Sequence, residues 1–261
     1  NIMHTQTNDH KGSDHCHRQG KLLLVGIGPG SVADRTHRAE DAIRASDVVV
    51  GYKLYLEHIR DLTVGKELIA TGMMQEIARC RIALERAMAG ATVAFISSGD
   101  AGVYGMAGLA MEMAAAHGWQ VPIEVIPGVS AANSAAAMMG APLMLDYACL
   151  SLSDLLMPWA TIVRRISALA SADMVVALYN PKSTKRVHQI EQVASILLDH
   201  RPASTPVGIA TAVGSADESL VMSDLGSFLH EDITMRSIVI VGNSTSAVLG
   251  GWFVTPRGYQ I

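Results

Sequence analysis

From Lys21 onward the chain alternates short β-branched or Leu-rich runs with longer stretches of helical spacing, a rhythm few folds accommodate. KLLLVGI, DVVVG, ATVAFIS and VPIEVIPG read as strands. Between them, Asp34–Ala45, Gln75–Ala89, Gly105–His117 and Val129–Met139 read as helices. Strand and helix in turn predict a mostly parallel sheet with helices packed on its faces. The rhythm breaks at GAPLMLDYACLSLSDLLMP, Gly140–Pro158, and then resumes on a smaller scale. There the pattern predicts a helix over Trp159–Ala170, the strand DMVVALYNP, and a helix over Thr184–Asp199 capped by Ser183 or Thr184. PVGIATAVG, a hairpin-paired ESLVMSD, a short helix over Leu225–His230 and a last strand SIVIVGN complete it. The expected architecture is two α/β domains, 21–145 and 146–261, with mostly parallel sheets and a ligand cleft between them. A polar, aperiodic tail over 1–20 is expected to be disordered.

The totals narrow the function classes. Hydrophobic residues make up 49% of the chain and charged ones 17%, enough apolar surface for a sizeable core. A formal net charge of −4 gives no reason to expect nucleic acid as a partner. No run reaches the roughly 18 apolar residues that would span a bilayer. Three scattered cysteines, Cys16, Cys80 and Cys149, read as reduced thiols, so the expected setting is cytoplasmic and soluble. His10, His15, Cys16 and His17 suggest a metal, but three of the four share one tripeptide of the tail, and no metal site is expected. His37, His58, His117, His188, His200 and His230 stand singly, and surface or capping roles are the default. No G-x-S-x-G, Walker loop or H-E-x-x-H is present.

What chemistry the sequence shows lies in turns at the predicted carboxyl ends of strands, where α/β folds bind ligands. VGIGPG follows the first strand with glycines at 26, 28 and 30. A dinucleotide fingerprint would put its third glycine one position later, and an acid at the end of the second strand. This chain instead has Ser31 and Gly51-Tyr52-Lys53 there, so a plain tight turn and a functional loop remain open. SSGDAGVYG (Ser97–Gly105), IPGVSAANSAAA (Ile126–Ala137), YNPKSTKR (Tyr179–Arg186) and IATAVG (Ile209–Gly214) repeat the theme. Each alone reads as an ordinary turn or helix start, with Asp100 or Ser130 as a cap; together they point to one lined cleft.

In this order the turns resemble the ordered blocks of the class III S-adenosylmethionine-dependent methyltransferases, the tetrapyrrole group. GYKLYLEHI (Gly51–Ile59), LSLSDLLMPW (Leu150–Trp159), ALYNPKS (Ala177–Ser183) and VTPRGY (Val254–Tyr259) are similar to the ring-contracting branch of that family, which serves cobalamin biosynthesis. The match runs from about Lys21 to the end. The resemblance implies methylation of precorrin-3B at C17 with extrusion of C20 to give precorrin-4. A cobalt-containing substrate of the anaerobic route is the alternative, and a nicotinamide-dependent oxidoreductase the rival of another class. It also implies a homodimer and a folded S-adenosylmethionine held between the domains by Pro29, Ser98, Gly99, Asp100, Val103, Ser130, Ala131, Asn180, Thr211 and Ala212. Asp100 would sit nearest the chemistry, binding the cofactor or handling a proton. Gly28, Gly30, Tyr52, Lys53, Ser151, Ser153 and Asp154 would face the tetrapyrrole, whose carboxylates suit Lys53. One block departs from the family: a Gly-His pair is expected before Asp146, and Met144-Leu145 stands there. If that histidine acts in ring contraction, another group must supply its role here.

Overall fold

The structure, a computed structural model, describes residues 19–261. The expected disordered tail, apart from Gln19 and Gly20, and its His10, His15, Cys16 and His17 lie outside them. The first half contains β1 (Lys21–Gly26), α1 (His37–Ala45), β2 (Val48–Tyr52), α2 (Lys53–Glu57), β3 (Glu67–Thr71), α3 (Glu76–Met88), β4 (Thr92–Ser97), α4 (Ala107–His117), β5 (Ile123–Ile126) and α5 (Ala131–Met139). Its strands form one fully parallel sheet in the order β3-β2-β4-β1-β5. Successive residues of β1 feed opposite cores. Leu22 and Leu24 pack with α3 and α4, whereas Leu23 and Val25 pack with α1. Burial on both faces is why this strand reads as an unbroken apolar run instead of an alternation.

Strand β3 was not expected. No residue of it is buried and it occupies the sheet edge, so ELIAT carries no apolar run to betray it. The helix expected from Asp34 starts at His37, capped by the Thr36 hydroxyl, which accepts from Ala39 N at 3.0 Å. A short 3-10 turn over Val32–Asp34 takes up the difference.

The second half runs through β6 (Gly140–Ala141), β7 (Tyr147–Ser151), α6 (Trp159–Ser171), β8 (Val175–Tyr179), α7 (Gln189–Leu198), β9 (Pro206–Thr211), β10 (Ser219–Asp224), β11 (Ser237–Val241), β12 (Ala247–Leu249) and β13 (Trp252–Val254). Here the expectation of a mostly parallel sheet fails. The order is β10-β9-β11-β8-β7, and only β7 and β8 pair parallel. No α-helix separates β9 from β10 or β10 from β11, the short helix expected over Leu225–His230 being a 3-10 turn at Phe228–His230, and the seven-residue link between β9 and β10 closes an antiparallel pair. The helix expected from Thr184 begins five residues later. Ser183 instead closes a turn, its hydroxyl accepting from Arg186 N at 3.0 Å.

Helix α5 stands in sequence between the halves but packs on the second sheet. Ala132, Ala135, Ala136 and Met139 meet Val175, Ala177, Ala210, Ile238 and Ile240, while α6 and α7 cover the other face. The division expected at 145/146 therefore does not coincide with the division of the cores. After β11 the chain turns back: β13 pairs with β12 and, in parallel, with β6. Phe253 is fully buried in the α5 core, and Thr255 N donates to Ala141 O at 3.1 Å. Phe253→Ala should cost about 3–5 kcal/mol of stability by emptying that site, measured as a fall in the urea midpoint.

Candidate active site

Because the first sheet is parallel, the loops after β1, β4 and β5 emerge at one edge. There they are joined backbone to backbone. Gly28 N donates to Gly99 O at 3.0 Å and Gly99 N to Gly28 O at 2.8 Å. A Cβ on Gly128 would lie 2.2 Å from Gly99 O and 2.7 Å from Gly26 O; one on Gly26 would lie 2.7 Å from Gly99 O. Only glycine permits such approach. Gly28 and Gly99 also hold φ of 75° and 64°, in the left-handed region. Residues 31–36 separate this loop from α1, so it does not open onto a helix N-terminus as a pyrophosphate cradle would.

Asp100 is engaged on both oxygens. Oδ1 accepts from Gly102 N at 2.8 Å and Oδ2 from Gly128 N at 3.0 Å, tying the β4 loop to the β5 loop. It does not cap α4, which starts at Ala107. Ser130 does cap α5, its hydroxyl accepting from Asn133 N at 3.4 Å. Ser98 and Ala131 are partly buried beside these anchors, and Val103 is exposed on the Asp100 turn. Pro29 and Gly30 lie at the partly buried tip of the first loop.

In the second sheet β7, β8 and β9 share one direction, because β11, antiparallel to both β8 and β9, lies between them. Ser151, Asn180 and Thr211 consequently sit at one edge. Asn180 Nδ2 donates to Ser151 Oγ at 3.0 Å, and Ser153 N donates to the same oxygen at 3.2 Å. Arg186, buried and missed by sequence reasoning, donates to Asn180 O at 2.6 Å and faces Asp154 at 3.8 Å. Burial lowers its pKa, and Asp154 works against that shift. Thr211 Oγ1 shares a 2.7 Å hydrogen bond with Ser237 Oγ, and Ala212 N donates to Arg236 O.

The two edges touch. Tyr179 Oη accepts from Ala132 N at 3.0 Å at the start of α5, and its ring lies 4.8 Å from that of Tyr104. Gly214, at φ 81°, stands against Pro29, Gly30 and Ser31. Tyr104, Asn180 and Ala212 are three of the five non-glycine residues with positive φ among the described residues, and all three lie at this junction. Strain of that kind collects where a surrounding structure enforces a site. The structure thus brings together predicted residues of both halves. Tyr52, the last residue of β2, and Lys53, the first of α2, stand further along the first sheet, with Lys53 exposed.

His58 was assigned a surface or capping role. It is half-buried at the end of α2 with no hydrogen-bond partner among the described residues, and a Cβ on Gly30 would lie 3.2 Å from its Cε1. Burial lowers its pKa below 6.5, and Arg236 and Arg35 add to the shift. Its sequence neighbourhood gives no sign of this, since Gly30 and Arg236 reach it only through the fold.

The profile of the Tetrapyrrole (Corrin/Porphyrin) Methylases matches residues 21–228. The chain is 49% identical over 246 residues to the cobalt-factor III methyltransferase of Priestia megaterium, covering 93% of this chain and 46% of that relative. It is 45% identical over 240 residues to the probable cobalt-factor III C(17)-methyltransferase of Salmonella typhimurium, covering 92% of this chain and 100% of the other. With the precorrin-3B C(17)-methyltransferase of Sinorhizobium sp it shares 36% over 233 residues, 88% and 91% of the two chains. Among solved structures, that of the methyltransferase CobJ superposes with a TM-score of 0.84 at 32% identity, covering 91% of this chain and 100% of that one. The chain belongs to the tetrapyrrole methylase family. Within it, the relatives of Salmonella typhimurium and Sinorhizobium sp carry C(17)-methyltransferase in their names.

Gly128→Ala should destabilise by about 1–3 kcal/mol because backbone blocks its Cβ on two sides. Gly108→Ala, in open space on α4, should instead stabilise by about 1 kcal/mol; urea denaturation distinguishes the two. For His58 the folded pKa is the lower one, so its contribution is fully present above the unfolded value of 6.5. That contribution should fall away as pH drops below 6.5, and His58→Gln should flatten this part of a stability–pH profile.

Proposed function

We propose that this chain uses S-adenosylmethionine to methylate C17 of a tetrapyrrole at the precorrin-3B stage, with contraction of the ring. The observation that carries the reading is the junction at which the Gly28–Gly99 pair, the Asp100 bridge and the Tyr179–Ala132 bond draw loops of both sheets to one cleft. Of the two substrate forms, the metal-free one was placed first from sequence and the cobalt-containing one as its alternative. We favour the cobalt-containing form, because the relatives at 49% and 45% identity carry cobalt-factor III in their names and the precorrin-3B relative stands at 36%.

The loops fit a sulfonium donor better than a dinucleotide. Their approach is cleared by glycines, neither GIGPG nor SSGDAG contains a basic residue, and residues 31–36 separate the first loop from α1. Pro29, Ser98, Gly99, Val103, Ser130, Ala131, Asn180, Thr211 and Ala212 would hold the cofactor, largely through backbone. The Ser130 and Thr211 hydroxyls are already committed within the protein. When bound, S-adenosylmethionine supplies an electrophilic methyl group. The residues contribute position: they align methyl and carbon for in-line displacement and exclude water from the approach. Gly28 and Gly30 leave room for a flat ring, while Ser151, Ser153 and Asp154 line the opposite edge.

With both oxygens accepting backbone amides, Asp100 is better suited to shaping this junction than to exchanging a proton. It is a positioning residue in this reading. A homodimer and a cytoplasmic setting remain part of the proposal, in keeping with the free Cys80 and Cys149. No helix among the described residues is long and apolar enough to cross a membrane.

Calorimetry with S-adenosylhomocysteine and with NAD tests the cofactor, and binding of NAD alone would overturn the reading. Anaerobic incubation with cobalt-factor III and, separately, with precorrin-3B should give a product one methyl heavier, fastest with the cobalt form. Asp100→Ala should reduce methyl transfer by about 100-fold or more, since both amides lose their acceptor. Near-normal turnover would remove Asp100 from the site.

A further inference from the structure

We propose that Arg79 binds a carboxylate on the rim of the tetrapyrrole, an inference that rests on the substrate class proposed above. Arg79 lies in the first turn of α3 and is 5% exposed. Its Nε donates to Thr71 Oγ1 at the end of β3, and its Nη2 to Gly72 O at 2.8 Å. Those two bonds fix the guanidinium at the same carboxyl edge of the first sheet that bears the glycine loops. Thr71 is in register with Tyr52, whose ring centre is 5.7 Å from the guanidinium carbon. Lys53 follows directly on Tyr52 and is exposed.

No carboxylate among the described residues pairs with this arginine, although Glu76 stands one turn earlier on α3 and is exposed. Of the other three deeply buried arginines two face a carboxylate, and the third is sealed among backbone carbonyls. Arg35 makes a bidentate pair with Asp61, Arg186 faces Asp154, and Arg201 is surrounded by the carbonyls of Ala170, Met174 and Gly242. Burying a guanidinium without a counter-charge is costly, so its retention at a ligand-binding edge points to a counter-charge that arrives with the ligand. Nη1 has no protein partner among the described residues and, unlike the buried Nε of Arg35 and of Arg201, is not sealed from solvent. Exposed Leu54, Met73, Met74 and Ile77 belong to the segments on either side of it. Exposed apolar side chains on the neighbouring segments, with one fixed cation and one exposed cation, suit a flat ring edged with carboxylates.

The test uses Arg79→Gln and Arg79→Lys with the intact chain. Affinity for cobalt-factor III is read by absorbance titration, and affinity for S-adenosylhomocysteine by calorimetry. Arg79→Gln should weaken tetrapyrrole binding about 10–100-fold and leave S-adenosylhomocysteine within about twofold. Arg79→Lys should recover part of the loss. A substrate with esterified side-chain carboxylates should lose affinity for the wild type but not further for Arg79→Gln, which couples the arginine to the carboxylate. Unchanged tetrapyrrole affinity in Arg79→Gln, or equal losses for both ligands together with a lowered melting temperature, would overturn the assignment of Arg79 alone. A wild-type chain that binds no tetrapyrrole would sink the proposed function with it.

Discussion

Two backbones can approach within hydrogen-bonding distance side-on only where no Cβ stands between them. Gly26 and Gly128 meet this condition against Gly99 O, Gly28 and Gly99 exchange backbone hydrogen bonds, and three loops become a single surface. The rest of the candidate site depends on that closure. Asp100 can reach Gly128 N only because Gly128 has come up to Gly99 O, and Ser130 begins α5 two residues further on. A methyl group added at Gly26 or Gly128 would push apart loops belonging to different strands.

The second constraint is direction. All five strands of the first sheet end on one edge, and in the second sheet the inversion of β11 lets β7, β8 and β9 end together. Tyr179 and Gly214 then bring the two edges into contact. Small-residue helix α5 matters here because its alanines let it lie close on the second sheet, while its N-terminus faces the loops of the first. Positioning of two ligands is the kind of catalysis such a junction can supply, and methyl transfer asks for little else.

Much of this was legible beforehand, and for identifiable reasons. Strands buried on both faces, such as KLLLVG and TVAFIS, show themselves as apolar runs. The exposed edge strand ELIAT has no such mark. The loops with glycine, proline and small polar residues were recognisable because their composition is imposed by backbone geometry. His58, Arg79 and Arg186 were not recognisable as site-related residues, since each acquires its neighbours from elements distant in sequence. Asp100 was singled out from its turn, but its two amide partners are visible only in the fold.

The sequence by itself determined the alternation of strands and helices, the places where the backbone must turn tightly, and the family. Each follows from local spacing and from residue types that a turn or a buried strand requires. Only the tertiary structure decided that the second sheet is mixed, that α5 belongs to its core, and that VGIGPG meets Gly99 and Gly214 instead of opening onto a helix. Those outcomes depend on which surfaces meet, and contact between distant segments leaves no periodic trace along the chain.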